Sequence, residues 1–226
     1  MIKAVFLDAI KTIFAPFPSE SELYIDVIRR ITGKEFSVAE MTPILAKAMS
    51  ETEQLDAVKN NSIQQWENYP MKIAELIGCD QSDWESVGGQ IRYETWGNPE
   101  NYRLFPDVLP TLRLLKDKEL YIACVSNEDG WLGNFFDHFE ISKYFQFVLT
   151  SDEVGIEKPN PKIFLEALAK TDFKPEEVLF VGDSITSDYI GASNVGMKAL
   201  LIDRENKCKD EDIVRINDLT KIVEFL

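Results

Sequence analysis

A chain of 226 residues with 45% apolar side chains holds enough buried surface for one large domain, or for a core carrying an inserted second one. That composition, with only 11 glycines and 10 prolines, argues against a disordered polymer. The formal charge of −15, without any long lysine or arginine run to offset it, argues against nucleic acid as a partner.

The first residues are strand-like. Ala4-Val5-Phe6-Leu7 is a continuous apolar run that ends at Asp8. It is too short for the apolar core of a signal peptide, and no segment reaches the ~20 apolar residues of a membrane span. A soluble cytoplasmic protein is expected, and the sequence does not fix its oligomeric state. Residues 19–97 then show no convincing strand. Ser19-x-x-Glu22, Ser37-x-x-Glu40 and Ser82-x-x-Glu85 each have the pattern of a capping box, where serine and glutamate satisfy each other's free N–H groups. Gly33, Gly78 and Gly97 follow the periodic stretches as candidate helix ends. Leu23, Val27 and Ile31 would share one face of the first helix.

Beyond this segment the pattern changes. Continuous apolar runs at 120–125, 145–149, 178–181 and 199–202 alternate with helical stretches at 107–118, 130–139, 161–170, 188–195 and 218–226. Strands that are apolar throughout are buried on both faces, which predicts a parallel sheet covered by helices on each side. The expected fold is therefore α/β: a Rossmann-like, doubly wound core of residues 1–16 and 98–226, with an all-helical domain of residues 17–97 inserted after the first strand. Pro16-Phe17-Pro18 and Gly97-Asn98-Pro99 have the composition of its hinges.

In an open parallel sheet, ligands bind beyond the carboxyl ends of the strands. Asp8, Ser126-Asn127 and Asp183 each close an apolar run, so they should meet at one crevice despite their distance in sequence. Asp188 follows at what reads as a helix start, and Lys158-Pro159 precedes another. Taken singly, each has an ordinary explanation as a cap or turn residue. Together they suit phosphoryl chemistry. A phosphate dianion repels an approaching carboxylate, so a divalent cation must neutralise both. Asp8, Asp183 and Asp188 supply the oxygen ligands that Mg²⁺ prefers. Lys158 offers a positive charge, while Ser126 and Asn127 offer hydrogen bonds to phosphate.

Other residues offer less. Cys79, Cys124 and Cys208 lack the spacing of a zinc site or a disulfide framework, which fits a reducing compartment. His138 is the only histidine. It reads as a surface residue of a short helix, without the serine or cysteine context of a triad.

The ordered motifs Phe-Leu-Asp8-Ala-Ile-Lys-Thr12, Val-Ser126-Asn127, Lys158-Pro-Asn-Pro-Lys-Ile-Phe164 and Val-Gly-Asp183-Ser-x-x-x-Asp188-x-x-Gly-Ala-x-x-x-Gly196-Met197 resemble those of the haloacid dehalogenase superfamily. Residues 125–129 and 149–155 further resemble its uncharacterised dehalogenase-like hydrolases. The inserted helices resemble that superfamily's C1-type cap, whose closure would expel water from the site. The resemblance implies Asp8 as nucleophile and Ser126 and Lys158 as stabilisers of phosphate and intermediate. It also implies that the metal is held by Asp8, Asp183, Asp188 and the backbone carbonyl of Ile10.

One feature departs from that pattern. Phosphatases of the superfamily carry a second aspartate two residues after the nucleophile, which protonates the leaving oxygen and later deprotonates water. This work is typically worth ~10²–10⁴-fold in rate. Ile10 cannot do it, and Lys11 replaces a small residue in the same turn. Three functions stay open on the sequence. The first is an Mg²⁺-dependent phosphohydrolase acting on a small phosphate ester, with a good leaving group or an acid borrowed from Glu128, Asp129 or the cap. The second is a 2-haloacid dehalogenase, which needs no leaving-group proton. The third is a binding protein that has lost turnover. The paired Asp183 and Asp188 weigh against dehalogenation, as does a cap without arginine between Arg30 and Arg92.

Overall fold

Burial on both faces of its strands organises the core. In the computed structural model, which describes residues 1–59 and 63–226, β1 (Ala4–Leu7) is buried at every position. The chain continues through β2 (Phe14–Pro16), α1 (Glu20–Thr32), α2 (Val38–Lys59), α3 (Ile63–Leu76) and α4 (Trp84–Arg92). It returns through β3 (Tyr102–Leu104), α5 (Val108–Asp117), β4 (Tyr121–Ser126), α6 (Leu132–His138), β5 (Phe147–Thr150) and α7 (Ser151–Val154). Then come α8 (Pro161–Ala169), β6 (Val178–Gly182), a π-helical turn Ile185–Ile190, α9 (Gly191–Asn194), β7 (Lys198–Ile202), β8 (Arg215–Ile216) and a 3₁₀ segment Leu219–Phe225.

The main sheet has the order β5-β4-β1-β6-β7-β8, with every pairing parallel. β4 and β5 lie to one side of β1, and β6 onward to the other. The order therefore reverses at β1, where a doubly wound sheet opens its ligand crevice. Register decides which residues arrive there. Leu7 pairs with Cys124 of β4 and with Val181 of β6, so Asp8, Ser126 and Asp183 leave the sheet at nearly the same level. Beneath them Phe6, Val125, Phe164 and Phe180 form part of one buried apolar cluster. The rigidity of such close packing holds the strand ends in place.

The chain divides into two compact units, residues 1–15 with 104–226 and residues 16–103. The first junction falls between Ala15 and Pro16. The return junction falls at Arg103–Leu104, later than Gly97-Asn98-Pro99, because the Phe17 N–H donates to the carbonyl of Asn101 and ties that stretch to the helical unit. The helical unit has its own core, built from Leu23, Tyr24, Val27, Ile28, Met41, Ile73 and Ile91, with Ile31 packed at its edge.

One of the three capping boxes forms in full, that of Ser37 and Glu40, and a second forms in part, at Ser19. Ser19 caps α1, and Ser37 and Glu40 exchange backbone-to-side-chain bonds at the start of α2. The third does not: Ser82 lies inside a 3₁₀ turn, Gln81–Asp83, and its hydroxyl donates to Asp83. Gly33 and Gly78 take the left-handed conformation of helix ends, at φ 72° and 75°. Gly97 instead closes a π-helical turn, Tyr93–Gly97. Three short strands escape the hydrophobic pattern: β2 and β3, which pair with each other, and β8 at the sheet edge. Runs of two or three residues carry no periodic signal. The closing segment is 3₁₀ rather than α-helical, begun by Asp218 accepting the N–H of Thr220. Among the described residues, no helix is long and apolar enough to cross a membrane.

Candidate active site

Asp8 leaves β1 with its N–H still donating to the carbonyl of Val181. Its side chain is almost fully buried, as are Ser126, Lys158 and Asp188. Oδ1 of Asp8 accepts from the Ser126 hydroxyl at 3.0 Å and from Lys158 Nζ at 2.7 Å. Oδ2 accepts from the Thr12 hydroxyl at 3.2 Å. Lys158 Nζ also donates to Asp188 Oδ1 at 2.6 Å and lies 5.3 Å from the centre of the Phe180 ring. One ammonium thus bridges two carboxylates from opposite ends of the chain.

Lys158 is held there by Asn127. The Asn127 carbonyl oxygen accepts the Lys158 N–H at 2.7 Å, and its amide donates to the Lys158 carbonyl at 2.9 Å. The sequence places Asn127 among the phosphate donors. In the structure its amide is engaged with the Lys158 backbone, so its evident work is to set that lysine.

Asp188 occupies the middle of the π-helical turn rather than a helix start. Its Oδ2 bends back to accept the N–H of Ser184 at 2.9 Å, while Ser184 itself caps the turn by accepting from the N–H of Ser187. This folding back works because residue 182 is glycine. A Cβ there would stand 2.3 Å from the Asp188 carboxylate. Gly182→Ala should therefore displace Asp188 and weaken Mg²⁺ binding by about 10–100-fold, as loss of a ligand's supporting contacts typically does. Calorimetric titration of Mg²⁺ into parent and variant reads this directly; equal affinities would exclude Asp188 as a ligand.

Ligand oxygens of Asp8, Asp183 and Asp188 all lie within 4.8 Å of one another. Three carboxylates gathered this closely are mutually repulsive. Burial, then the charges of Asp8 and Asp188, push the half-buried Asp183 carboxyl up to about 7. Burial also raises Asp188, against the pull of Lys158. Lys158 rises above the ordinary lysine value: burial opposes its charge, but Asp188 and Asp8 outweigh it. A hard divalent cation suits this donor set, because it relieves the repulsion and takes carboxylate oxygens.

A pH test follows. Between the unfolded Asp value near 3.8 and the folded value of about 7, the folded chain holds more protons than the unfolded one. Without metal, stability should then fall as pH rises through that window. Mg²⁺ bound by these carboxylates would compete with those protons. The melting temperature should rise on adding Mg²⁺ at pH 8 and much less at pH 5. The same rise at both pH values would count against carboxylate ligation.

In the turn after Asp8, Ile10 is half-buried and forms an isolated bridge with Phe14. The turn is closed by hydrogen bonds from Lys11 N–H to Phe14 and from Ile13 and Phe14 N–H to Ala9. Lys11 does not disrupt it but adopts φ 64°, a left-handed conformation costing a non-glycine residue roughly 1–2 kcal/mol. Glu128 is partly buried, and its carboxyl is pushed up to about 8 by desolvation and by the charges of Asp8 and Asp129. The Cys124 thiol is buried beneath the site and raised by that burial, which makes it a core residue. His138 is exposed on α6 and packs edge-on against Phe139.

Thr12 carries no role in the sequence reading, although it stands within the first motif; its hydroxyl reaches Asp8. Nothing in the pattern marks Asp107 or Arg204, which hold the turn containing Lys11 and Thr12.

A parallel sheet with a cluster of aspartates beyond its strand ends at the reversal point defines the class, and comparison with known proteins gives the family. The family model for haloacid dehalogenase-like hydrolases matches residues 21–202. The chain belongs to that family. It is 34% identical over 142 residues to mouse haloacid dehalogenase-like hydrolase domain-containing protein 3, covering 62% of this chain and 56% of the relative. It is 39% identical over 123 residues to the glyceraldehyde 3-phosphate phosphatase of Methanothermobacter thermautotrophicus, covering 52% of each. The chain spans about half the length of these curated relatives. Among solved structures, a HAD phosphatase from Thermococcus onnurineus superposes with a TM-score of 0.68 at 26% identity, covering 99% of this chain and 97% of that one.

Proposed function

We propose that this protein is an Mg²⁺-dependent phosphohydrolase that cleaves a small phosphate ester through an aspartyl-phosphate on Asp8. The observation that carries this reading is the convergence of Asp8, Asp183 and Asp188 within 4.8 Å, with Lys158 bonded to two of them. A cation held by Asp8, Asp183, Asp188 and the Ile10 carbonyl would neutralise charge on nucleophile and phosphate and polarise the phosphoryl oxygens. That carboxylate cluster also favours this chemistry over halide displacement, which needs no metal. The phosphatase names carried by relatives such as that of M. thermautotrophicus support a small phosphorylated substrate.

The remaining work falls to the chain itself. Ser126 and Lys158 hold one oxygen of Asp8 and Thr12 the other, which orients the carboxylate for in-line attack. Lys158 then faces charge that builds on the transferring oxygens. Ile10 cannot protonate the leaving group, so the favoured substrates are those whose leaving oxygen departs as a weakly basic anion. Glu128, whose carboxyl is pushed up to about 8, is the alternative donor that the site's electrostatics suggest.

Ile10→Asp should raise turnover of an unactivated alkyl phosphate by about 10²–10⁴-fold, while changing an activated aryl phosphate far less. An unchanged ratio between the two substrates would show that the site lacks more than this acid. The broader test is a panel of phosphate esters and 2-haloacids, assayed with and without Mg²⁺. Metal-dependent phosphate release supports the reading. Halide release without metal, or no reaction at all, would overturn it.

A further inference from the structure

Arg204 stands in the turn after β7, far in sequence from Asp8 and the turn that follows it. Its guanidinium forms a two-pronged pair with Asp107, NH1 to Oδ2 at 2.8 Å and NH2 to Oδ1 at 3.2 Å. Its other donors point at the turn after the nucleophile: NH2 to the Thr12 carbonyl at 2.7 Å and Nε to the Lys11 carbonyl at 3.3 Å. The ring of Phe105 lies beneath the guanidinium at 3.6 Å, and the Phe105 N–H takes the next carbonyl, that of Ile13, at 3.1 Å. Three successive carbonyls are thus fixed from outside the turn. Asp107 is itself buried and anchored by the N–H of Leu219 at 2.7 Å.

The clamp acts on a segment that needs it. Lys11 takes a left-handed conformation that an unsupported lysine leaves readily, and such conformations persist where surroundings over-determine them. The next residue, Thr12, aims its hydroxyl at Asp8 Oδ2. Because the guanidinium is planar with donors in a fixed fork, it can hold Asp107 and both carbonyls at once; a lysine ammonium cannot span them.

We propose that Arg204, braced by Asp107 and Phe105, is a positioning residue for Asp8, acting through the Lys11–Thr12 turn and the Thr12 hydroxyl. The catalytic part of this claim rests on Asp8 being the nucleophile; the clamp itself does not.

The experiment uses Arg204→Lys, Thr12→Val and the double variant of the full chain. The lysine keeps a positive charge beside Asp107, so the fold is retained. Hydrogen exchange should accelerate at the amides of Lys11, Ile13 and Phe14 in Arg204→Lys, while amides of β4 stay as protected as in the parent. With an activated aryl phosphate, kcat should fall about tenfold with KM nearly constant, as expected for a misplaced nucleophile. The double variant should be no slower than the slower single variant, because both changes cut one chain of contacts. Unchanged exchange in the turn would overturn the clamp, and kcat losses that multiply would overturn action through Thr12. If the parent has no phosphatase activity, the proposed function fails, and exchange alone still decides whether Arg204 holds the turn.

Discussion

Asp8→Asn should lower Mg²⁺-dependent turnover of an activated aryl phosphate by at least ~10⁴-fold, because the amide cannot supply the nucleophilic oxygen of a covalent mechanism. The substitution keeps the shape of the side chain. The amide oxygen can still accept from Ser126 and Lys158, which bond Oδ1 in the parent. It also removes one of three mutually repelling carboxylates. The variant should therefore melt no lower than the parent in the absence of metal. Loss of turnover without loss of stability separates the nucleophile from a structural aspartate. A variant that retains parental turnover would rule out the covalent route.

Lys158→Met should damage both fold and chemistry. The ammonium is buried and joins Asp8 to Asp188 at 2.7 and 2.6 Å. Removing one partner of a buried ion pair leaves the other charges uncompensated, typically at a cost of about 3–5 kcal/mol. Denaturant unfolding at pH 8 without metal should show a loss of that order. Mg²⁺ or a lower pH should recover part of it, since cation or protons neutralise the same carboxylates. Turnover should fall by about 10²–10³-fold even where the variant is folded, through loss of charge at the transferring oxygens. Stability and turnover both at the parental level would contradict the role assigned to this lysine.

The parts of this molecule readable from its sequence share one physical cause. β1, β4 and β6 are apolar on both faces and end abruptly at Asp8, at Ser126-Asn127 and at Asp183. Hydrophobic continuity therefore revealed the sheet and the strand ends at which these residues gather. Capping chemistry located α1 and α2 for the same reason, since serine and glutamate at fixed spacing act locally. It failed at Ser82, where a neighbouring aspartate captures the hydroxyl.

What stayed hidden depends on contacts between distant segments. Arg204, Asp107 and Phe105 meet the Lys11–Thr12 turn only once β7 lies beyond β6 in the sheet. The π-helical turn around Asp188 is hidden for a related reason. Its start is fixed by Ser184 and by the Asp188 carboxylate folding back over Gly182, and no sequence periodicity encodes that arrangement. The engagement of Asn127 with Lys158 likewise follows from loop geometry, whereas residue type alone suggested a phosphate donor.

The most direct measurement is acid quench of the protein reacting with an excess of an activated aryl phosphate and Mg²⁺, followed by peptide mass mapping. A phosphoryl group on the peptide holding Asp8, absent from Asp8→Asn and from samples without Mg²⁺, is the predicted result. Phosphate released at a steady rate with that peptide unmodified at every quench time would contradict the account.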